Sequence, residues 1–420
     1  MKQLSHIITL ALILVSLVTP YSGLTQIFEE DPLGRDLDPD LRTLTTAVPF
    51  LLITPDSRSG AMGDVGVAFS PSAYSLHWNV GAMAFLENQE EWSLSYSPWL
   101  RALVDDMDLS YLSRVKKLNP SQAIGYSFRY FSLGQITFTD EYAVQIMDFQ
   151  PNEFCVTAGF SQKFGSKFSG GFSGKFIYSN LLGGVQVGGA DSQPGVSVAS
   201  DIGLYYTNPR ANWGRSSGIF SLGMTLSNLG AKISYTETAA RDFIPSNLRI
   251  GTCYQFQFDE YNSLTLGFDM NKLLVPSPPL IDAGTGEIIS GMNPDVGVAQ
   301  GIVQSFYDAA GILYEPTNGD EPFIVSGSRF REEMAEINLG LGLEYNFNQS
   351  FDFRTGYFYE PYSKGNRQWV SLGFGLKYST MKFDMSYLVS TTQAHPLANT
   401  LRFSVSLQFS DLAEFAQDGE

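Results

Sequence analysis

The chain has little charge, few cysteines, few histidines and no long apolar run past its start. Asp, Glu, Lys and Arg make up 16% of the 420 residues, against roughly a quarter in soluble domains. Little of the chain is therefore composed to meet water. Past residue 25 no stretch of about 20 apolar residues occurs, which leaves no candidate for a membrane-spanning helix. Two cysteines, Cys155 and Cys253, do not make a disulfide framework. Both fall in expected strands on the less apolar face, and free thiols are expected. Outside the N-terminal apolar stretch the histidines are His77 and His395, which the strand order puts at opposite ends of the molecule. A nucleophile–histidine pair needs the two groups within hydrogen-bond reach. A membrane esterase built on His395 and Ser390 would lack a group to orient the imidazole. No Cys or His spacing suits a metal, no glycine run forms a phosphate loop, and a net charge of −17 argues against nucleic acid. No catalytic residue, cofactor or metal ligand is expected. Asp191, Asp282, Asp295 and Asp320 read as solvated loop charge, with a calcium or partner contact as the other reading.

What the chain does have is alternation. Val370, Leu372, Phe374, Leu376 and Tyr378 interleave with Ser371, Gly373, Gly375 and Lys377; Leu401 to Phe409, Ile337 to Phe347 and Leu248 to Phe258 repeat the pattern. One face is apolar for about ten residues, the length of a tilted strand across a bilayer. The other face is Gly, Ser, Thr and Asn with scattered ions such as Arg129, Lys175, Asp269, Arg354 and Asp384. A solvated sheet face would be richer in Lys and Glu, so these small residues suit a crowded lumen. Strands are expected near 92–101, 108–117, 121–131, 153–163, 168–180, 198–207, 217–228, 247–258, 263–274, 335–347, 351–361, 367–378, 381–390 and 400–410. That is about 14, an even number joined by short turns on one side and long loops on the other, the pattern of an all-β transmembrane antiparallel barrel. The turn at 208–216 is long for the short side, and the loop at 362–366 is short for the long side.

The remaining segments follow. Lys2, the apolar Ile7–Val18 and the small-residue Pro20–Thr25 read as a signal peptide over 1–25. An N-terminal leader and plug are expected over 26–90, the barrel over 91–410 and a tail over 411–420. Within the second segment, 27–46 is acidic and reads as a flexible leader, 47–53 as a short apolar anchor, and 53–86 as a plug closing the lumen from the periplasmic side. The plug stretch is rich in small residues, which let backbone approach backbone. The longest loop, 275–334, carries Ile302, Val303, Phe306, Tyr307, Ile312, Leu313 and Tyr314, whose spacing allows a short amphipathic helix. Of these, Ile302, Phe306, Tyr307, Leu313 and Tyr314 are the candidate partner-binding residues, because loops this long are usually functional or disordered.

The stretch TPDSRSGAMGDVGVAFSPSAYSLHWN, Thr54 to Asn79, resembles the PorV family of outer-membrane shuttle proteins of the type IX secretion system. Pro55, Asp56, Arg58, Gly60, Met62, Gly63, Asp64, Gly66, Val67 and Ala68 match that family's P-D-A-R-x-G-x-M-G-D-x-G-V-A pattern. Trp78 and Asn79 match its W-N-P-A turn, with Val80-Gly81 in place of Pro-Ala. The wider likeness is to FadL-like barrels, which share a small-residue hatch before fourteen strands. The resemblance implies an outer-membrane protein that is not an enzyme. It implies collection of secreted cargo, by a C-terminal signal domain, from the large translocon barrel, and delivery to a cell-surface sortase complex that attaches cargo to lipopolysaccharide. Outer-membrane lipid surrounds such a barrel. The alternative it leaves open is a FadL-like transporter of hydrophobic small molecules.

Overall fold

The computed structural model describes residues 42–410 apart from 102–103, 105, 140–141, 143, 185, 188–189, 214–215, 237–240, 283, 315–321 and 392–399. The signal peptide, most of the leader, the tail, Asp320 and His395 lie outside the described residues.

Fourteen strands alternate in direction and close on themselves. They are β1 (Glu90–Pro98), β2 (Met107–Asn119), β3 (Gln122–Leu133), β4 (Asn152–Lys163), β5 (Phe168–Asn180), β6 (Gly195–Trp213) and β7 (Ser216–Gly230). The ring continues through β8 (Asn247–Gln257), β9 (Asn262–Leu273), β10 (Ile337–Phe347), β11 (Phe351–Tyr359), β12 (Gln368–Tyr378), β13 (Met381–Ser390) and β14 (Leu401–Phe409). The seam joins β1 to β14, Glu90 opposite Phe409 and Tyr96 opposite Phe403. Closure leaves no sheet edge, which is what lets strands cross lipid with every ladder bond made.

The alternation sorts the two faces as the sequence implies. On β12, Leu372 and Phe374 are 51% and 40% exposed, while Trp369 and Ser371 are buried toward the axis. Arg129, Asp269, Arg354 and Asp384 are all buried inside the ring. Along the seam the inner face is serine: Ser93 meets Ser406 at 2.7 Å and Ser95 meets Ser404 at 2.8 Å, hydroxyl to hydroxyl. The barrel is an outer-membrane one, so its short-turn end faces the periplasm and its long-loop end the exterior.

Two irregularities in the strand pattern find a reason here. The 208–216 connection is not a long turn. β6 and β7 run on past their neighbours, Trp213 pairing with Ser216, with register shifts at Ser200/Ile202 and Asn208/Ala211. β2, whose alternation is weak, is nonetheless held between β1 and β3, paired to β1 over Asp108–Lys116.

The chain before β1 lies inside the ring. Its pieces are a 3-10 turn at Pro49–Leu52, helix α1 (Ser57–Gly60), helix α2 (Ser75–Trp78) and a 3-10 helix at Val80–Phe85. Val48, Phe50 and Leu51 pack on Leu109, Phe131, Ile177, Ile233 and Ile244 near the long-loop end. Leu86 packs with Val115 and Ala123 toward the short-turn end. The segment therefore descends through the lumen from the outer end to the periplasmic end. This corrects the expectation of a plug confined to the periplasmic side. The apolar anchor expected over 47–53 is there, with Val48, Phe50 and Leu51 buried, whereas 42–46 is not a flexible leader. The Arg42 amide donates to the Ser363 carbonyl at 3.2 Å, and the Ala47 amide donates to the Phe243 carbonyl at 2.9 Å, both on outer loops.

Candidate functional site

Two places hold the residues singled out by sequence, the lumen segment and the outer loops. In the lumen the motif residues divide into those that shape the segment and those that bind the wall. Asp56 caps α1, its Oδ2 accepting the Ser59 amide at 2.8 Å, and its Oδ1 accepts Trp78 Nε1 at 2.7 Å. One carboxylate thereby starts α1 and ties it to α2, which explains why Asp56 and Trp78 occur together. Asn79 closes the other end: its Oδ1 accepts the Gly81 amide at 3.0 Å, and its Nδ2 donates to Val67 O at 3.0 Å and Leu204 O at 2.9 Å. Pro55 precedes the cap and is buried with Met62 inside the ring.

Arg58 crosses to the wall. Its Nη2 and Nε donate to Glu344 Oε1 and Oε2 on β10 at 2.7 and 2.9 Å, a two-pronged pair. Glu344 is shared with Arg354, whose remaining nitrogens reach Asp352 at 2.6 Å and Asp384 at 2.7 Å. Asp269 Oδ2 on β9 accepts the Gly66 and Val67 amides at 2.9 and 3.1 Å. Arg249 on β8 donates to the Asp64 carbonyl at 2.9 Å and lies over the Trp78 ring at 4.5 Å. Arg129 on β3 donates to Phe50 O and Leu51 O at 2.9 and 2.8 Å, and its Nη2 stands 2.8 Å from His77 Nδ1.

The motif glycines mark close approach. Gly63 has φ +68, and a Cβ there would stand 2.5 Å from the Tyr357 carbonyl and 2.7 Å from that of Leu341. Its amide donates to Ser371 Oγ at 3.0 Å. Only glycine fits that backbone at that distance. The wall reciprocates with glycines of its own at Gly340, Gly342 and Gly356. Gly60 leaves room for the Arg402 guanidinium, which a Cβ would meet at 2.5 Å. Two cavities beside the segment have volumes of about 10 and 20 Å³, room for a water molecule or so each. Cys155 and Cys253 are buried and free, as expected.

The outer site differs from its sequence reading. The 274–336 loop holds two short hairpins, helix α3 (Val298–Gln304) and helix α4 (Ser328–Ala335). It is pinned to the rim by charge. Lys272 Nζ reaches Glu336 at 2.6 Å, Lys364 Nζ reaches Glu332 at 2.8 Å and Glu336 at 3.0 Å, and Arg42 reaches Glu332 at 3.3 Å. The short amphipathic helix that the spacing allows within 302–314 is present only at Ile302–Gln304, as the end of α3. α3 ends at Gln304, Phe306 and Tyr307 follow in a turn, and Leu313–Tyr314 pair with Phe323–Ile324. The reason lies in the backbone donors beyond Gln304. The Ala309 and Gly311 amides are taken by Glu333 and Glu332 of α4, at 2.8 Å each, instead of by a continuing helix. Phe306 and Tyr307 stay 50% and 60% exposed, whereas Ile302, Leu313 and Tyr314 are half-buried. Of the loop carboxylates, Asp282 folds back on the Gly284 and Thr285 amides and Asp295 pairs with Lys232 at 3.4 Å.

The wall partners were visible in sequence only as types. Arg129, Asp269, Arg354 and Asp384 stood out as ions on a small-residue face. The alternation puts Glu344 and Arg249 on the same face, but nothing local marks Arg58 and Asp64, far away in the chain, as their partners.

The family model described as "Type IX secretion system protein PorV" matches residues 37–280, more than half of the chain. No curated protein matches the sequence. Among solved structures, the chain is similar to the Pseudomonas putida toluene transporter TodX, with 12% identity, 87% of this chain and 98% of that chain covered, and a TM-score of 0.47. The Ralstonia pickettii toluene transporter TbuX follows with 12% identity, 84% and 98% covered, and a TM-score of 0.45. A Pseudomonas aeruginosa FadL homologue has 12% identity, 88% and 99% covered, and a TM-score of 0.42.

Proposed function

The chain belongs to the PorV family of the type IX secretion system, and from that premise we propose a non-enzymatic role in handling secreted proteins at the outer membrane. It binds cargo through the cargo's C-terminal signal domain at the translocon barrel and delivers it to the surface sortase complex that attaches it to lipopolysaccharide. The family match, which includes the whole lumen motif, is the observation that carries this reading. The geometry supports it by elimination of surface. The wall is turned to lipid and the lumen is filled by the chain's own segment, with cavities of about 10 and 20 Å³ beside it. Neither has room for a fatty acid or an arene, which weighs against the transporter alternative. The outer loops remain to meet a protein, and the longest is folded and pinned at its rim. Val303, Phe306 and Tyr307 present apolar surface there, the kind of patch that marks a protein contact.

The test is a deletion strain. Proteins ending in the C-terminal signal domain should disappear from the cell surface and collect in the periplasm, with restoration on complementation. Unchanged surface display, together with slower uptake of hydrophobic compounds, would overturn the secretion role in favour of transport.

A further inference from the structure

Arg402 is the second residue of β14, at the outer end of the barrel, with its side chain turned inward and 2% exposed. Buried guanidinium groups are normally paired, because desolvation of an uncompensated charge is expensive. Every other arginine buried inside the ring has a partner: Arg129 has carbonyls and His77, and Arg354 has three carboxylates. Arg402 has none of these. Its Nε is without a hydrogen-bond partner, and no Asp or Glu among the described residues pairs with it. The inward carboxylate on the adjoining strand, Asp384, is taken by Arg354 at 2.7 Å. Asp56 is taken by Ser59 and Trp78.

Around this group stand features of a different kind. Ser386 is directly opposite Arg402 in the β13–β14 register, and its buried hydroxyl also lacks a partner. The Trp99 ring lies 5.9 Å from the guanidinium carbon. Gly60 backs the guanidinium from the lumen side. A planar fork of donors, a hydroxyl donor beside it and an aromatic wall make a receptor for an oxyanion.

We propose that Arg402 and Ser386, walled by Trp99, bind a small oxyanion, a carboxylate or a phosphate, at the outer mouth of the lumen. The proposal does not depend on the secretion role. It is tested on the full-length protein in detergent micelles. The readout is the temperature at which the folded band on a gel converts to the unfolded one. Sodium phosphate and sodium acetate are each titrated against sodium chloride at constant ionic strength. A ligand that binds only the folded state raises that temperature with its concentration. The wild type should show a saturating rise beyond chloride. A response to phosphate alone assigns a phosphate site, and a response to acetate, alone or with phosphate, assigns a carboxylate site. Arg402→Met should lose the rise, and Ser386→Ala should need roughly fivefold more anion, the effect of one hydrogen bond. If Arg402→Met does not fold, Arg402→Lys keeps the charge without the fork and should shift the curve to higher anion. No rise over chloride in the wild type, or a rise unchanged in the Arg402 variant that folds, overturns the site.

Discussion

Arg58 and Glu344, 286 residues apart in the chain, meet as a two-pronged ion pair at 2.7 and 2.9 Å inside the barrel. That pair fastens the lumen segment to the wall and shares its carboxylate with Arg354. Removing one partner strands the other, which costs about 3–5 kcal/mol for a buried pair. Glu344→Ala is therefore expected to lower stability to urea by that order. Arg58→Ala with Glu344→Gln should cost clearly less than the two single changes summed. Strict additivity would mean that the two residues do not act as a pair.

Gly63→Ala is expected to unseat the segment. It places a side chain in left-handed backbone, at about 1–2 kcal/mol, and 2.5 Å from the Tyr357 carbonyl. Single-channel conductance in planar bilayers should rise, as it should more strongly on deletion of 53–86. Ala at Gly174, which has nothing within 4 Å, is the control and should leave conductance low. A deletion variant as closed as the parent removes the plug role.

The lipid face is tested by Phe374→Arg. Phe374 is exposed on β12, and an arginine near the bilayer midplane costs about 2–4 kcal/mol. Folding into lipid vesicles should weaken by that amount, while Phe374→Leu should be nearly neutral. Indifference to the arginine would place Phe374 away from lipid.

Phe306 and Tyr307 are the proposed contact points on the outer loop. Replacing both by Ser should weaken recovery of the translocon barrel, of cargo, or of both in pull-downs, with the gel-shift of the folded barrel unchanged. Normal recovery of both partners would mean that these side chains serve only the rim.

The barrel was legible from sequence because its forces are local. Alternation and turn length decide a strand's existence, and Phe168–Asn180 and Met381–Ser390 emerge at the expected ends. The motif was legible as a motif. Its meaning was not, because Asp56 answers to Trp78 nearby but Arg58 answers to Glu344 across the ring. The course of 42–53 was hidden for the same reason: the groups that hold it are Phe243, Ser363, Glu332 and Arg129. The short helix allowed within 302–314 stops at Gln304, because apolar spacing says nothing of the carboxylates on α4 that claim the amides of Ala309 and Gly311.

The descent of 42–86 through the ring, ahead of the strands that surround it, bears on how the molecule is made. The first strand starts at the periplasmic mouth where that descent ends, and its partner at the seam is the last strand of the ring, β14. The ring is thus closed by a strand far along the chain, around a thread that precedes its first strand. A thread left outside the sealed ring would have to enter through an open end of the barrel, past the close approach of Gly63 to the Leu341 and Tyr357 carbonyls. Substitutions that weaken seating, such as at Gly63, therefore act on the yield of assembled barrel as well as on the finished one.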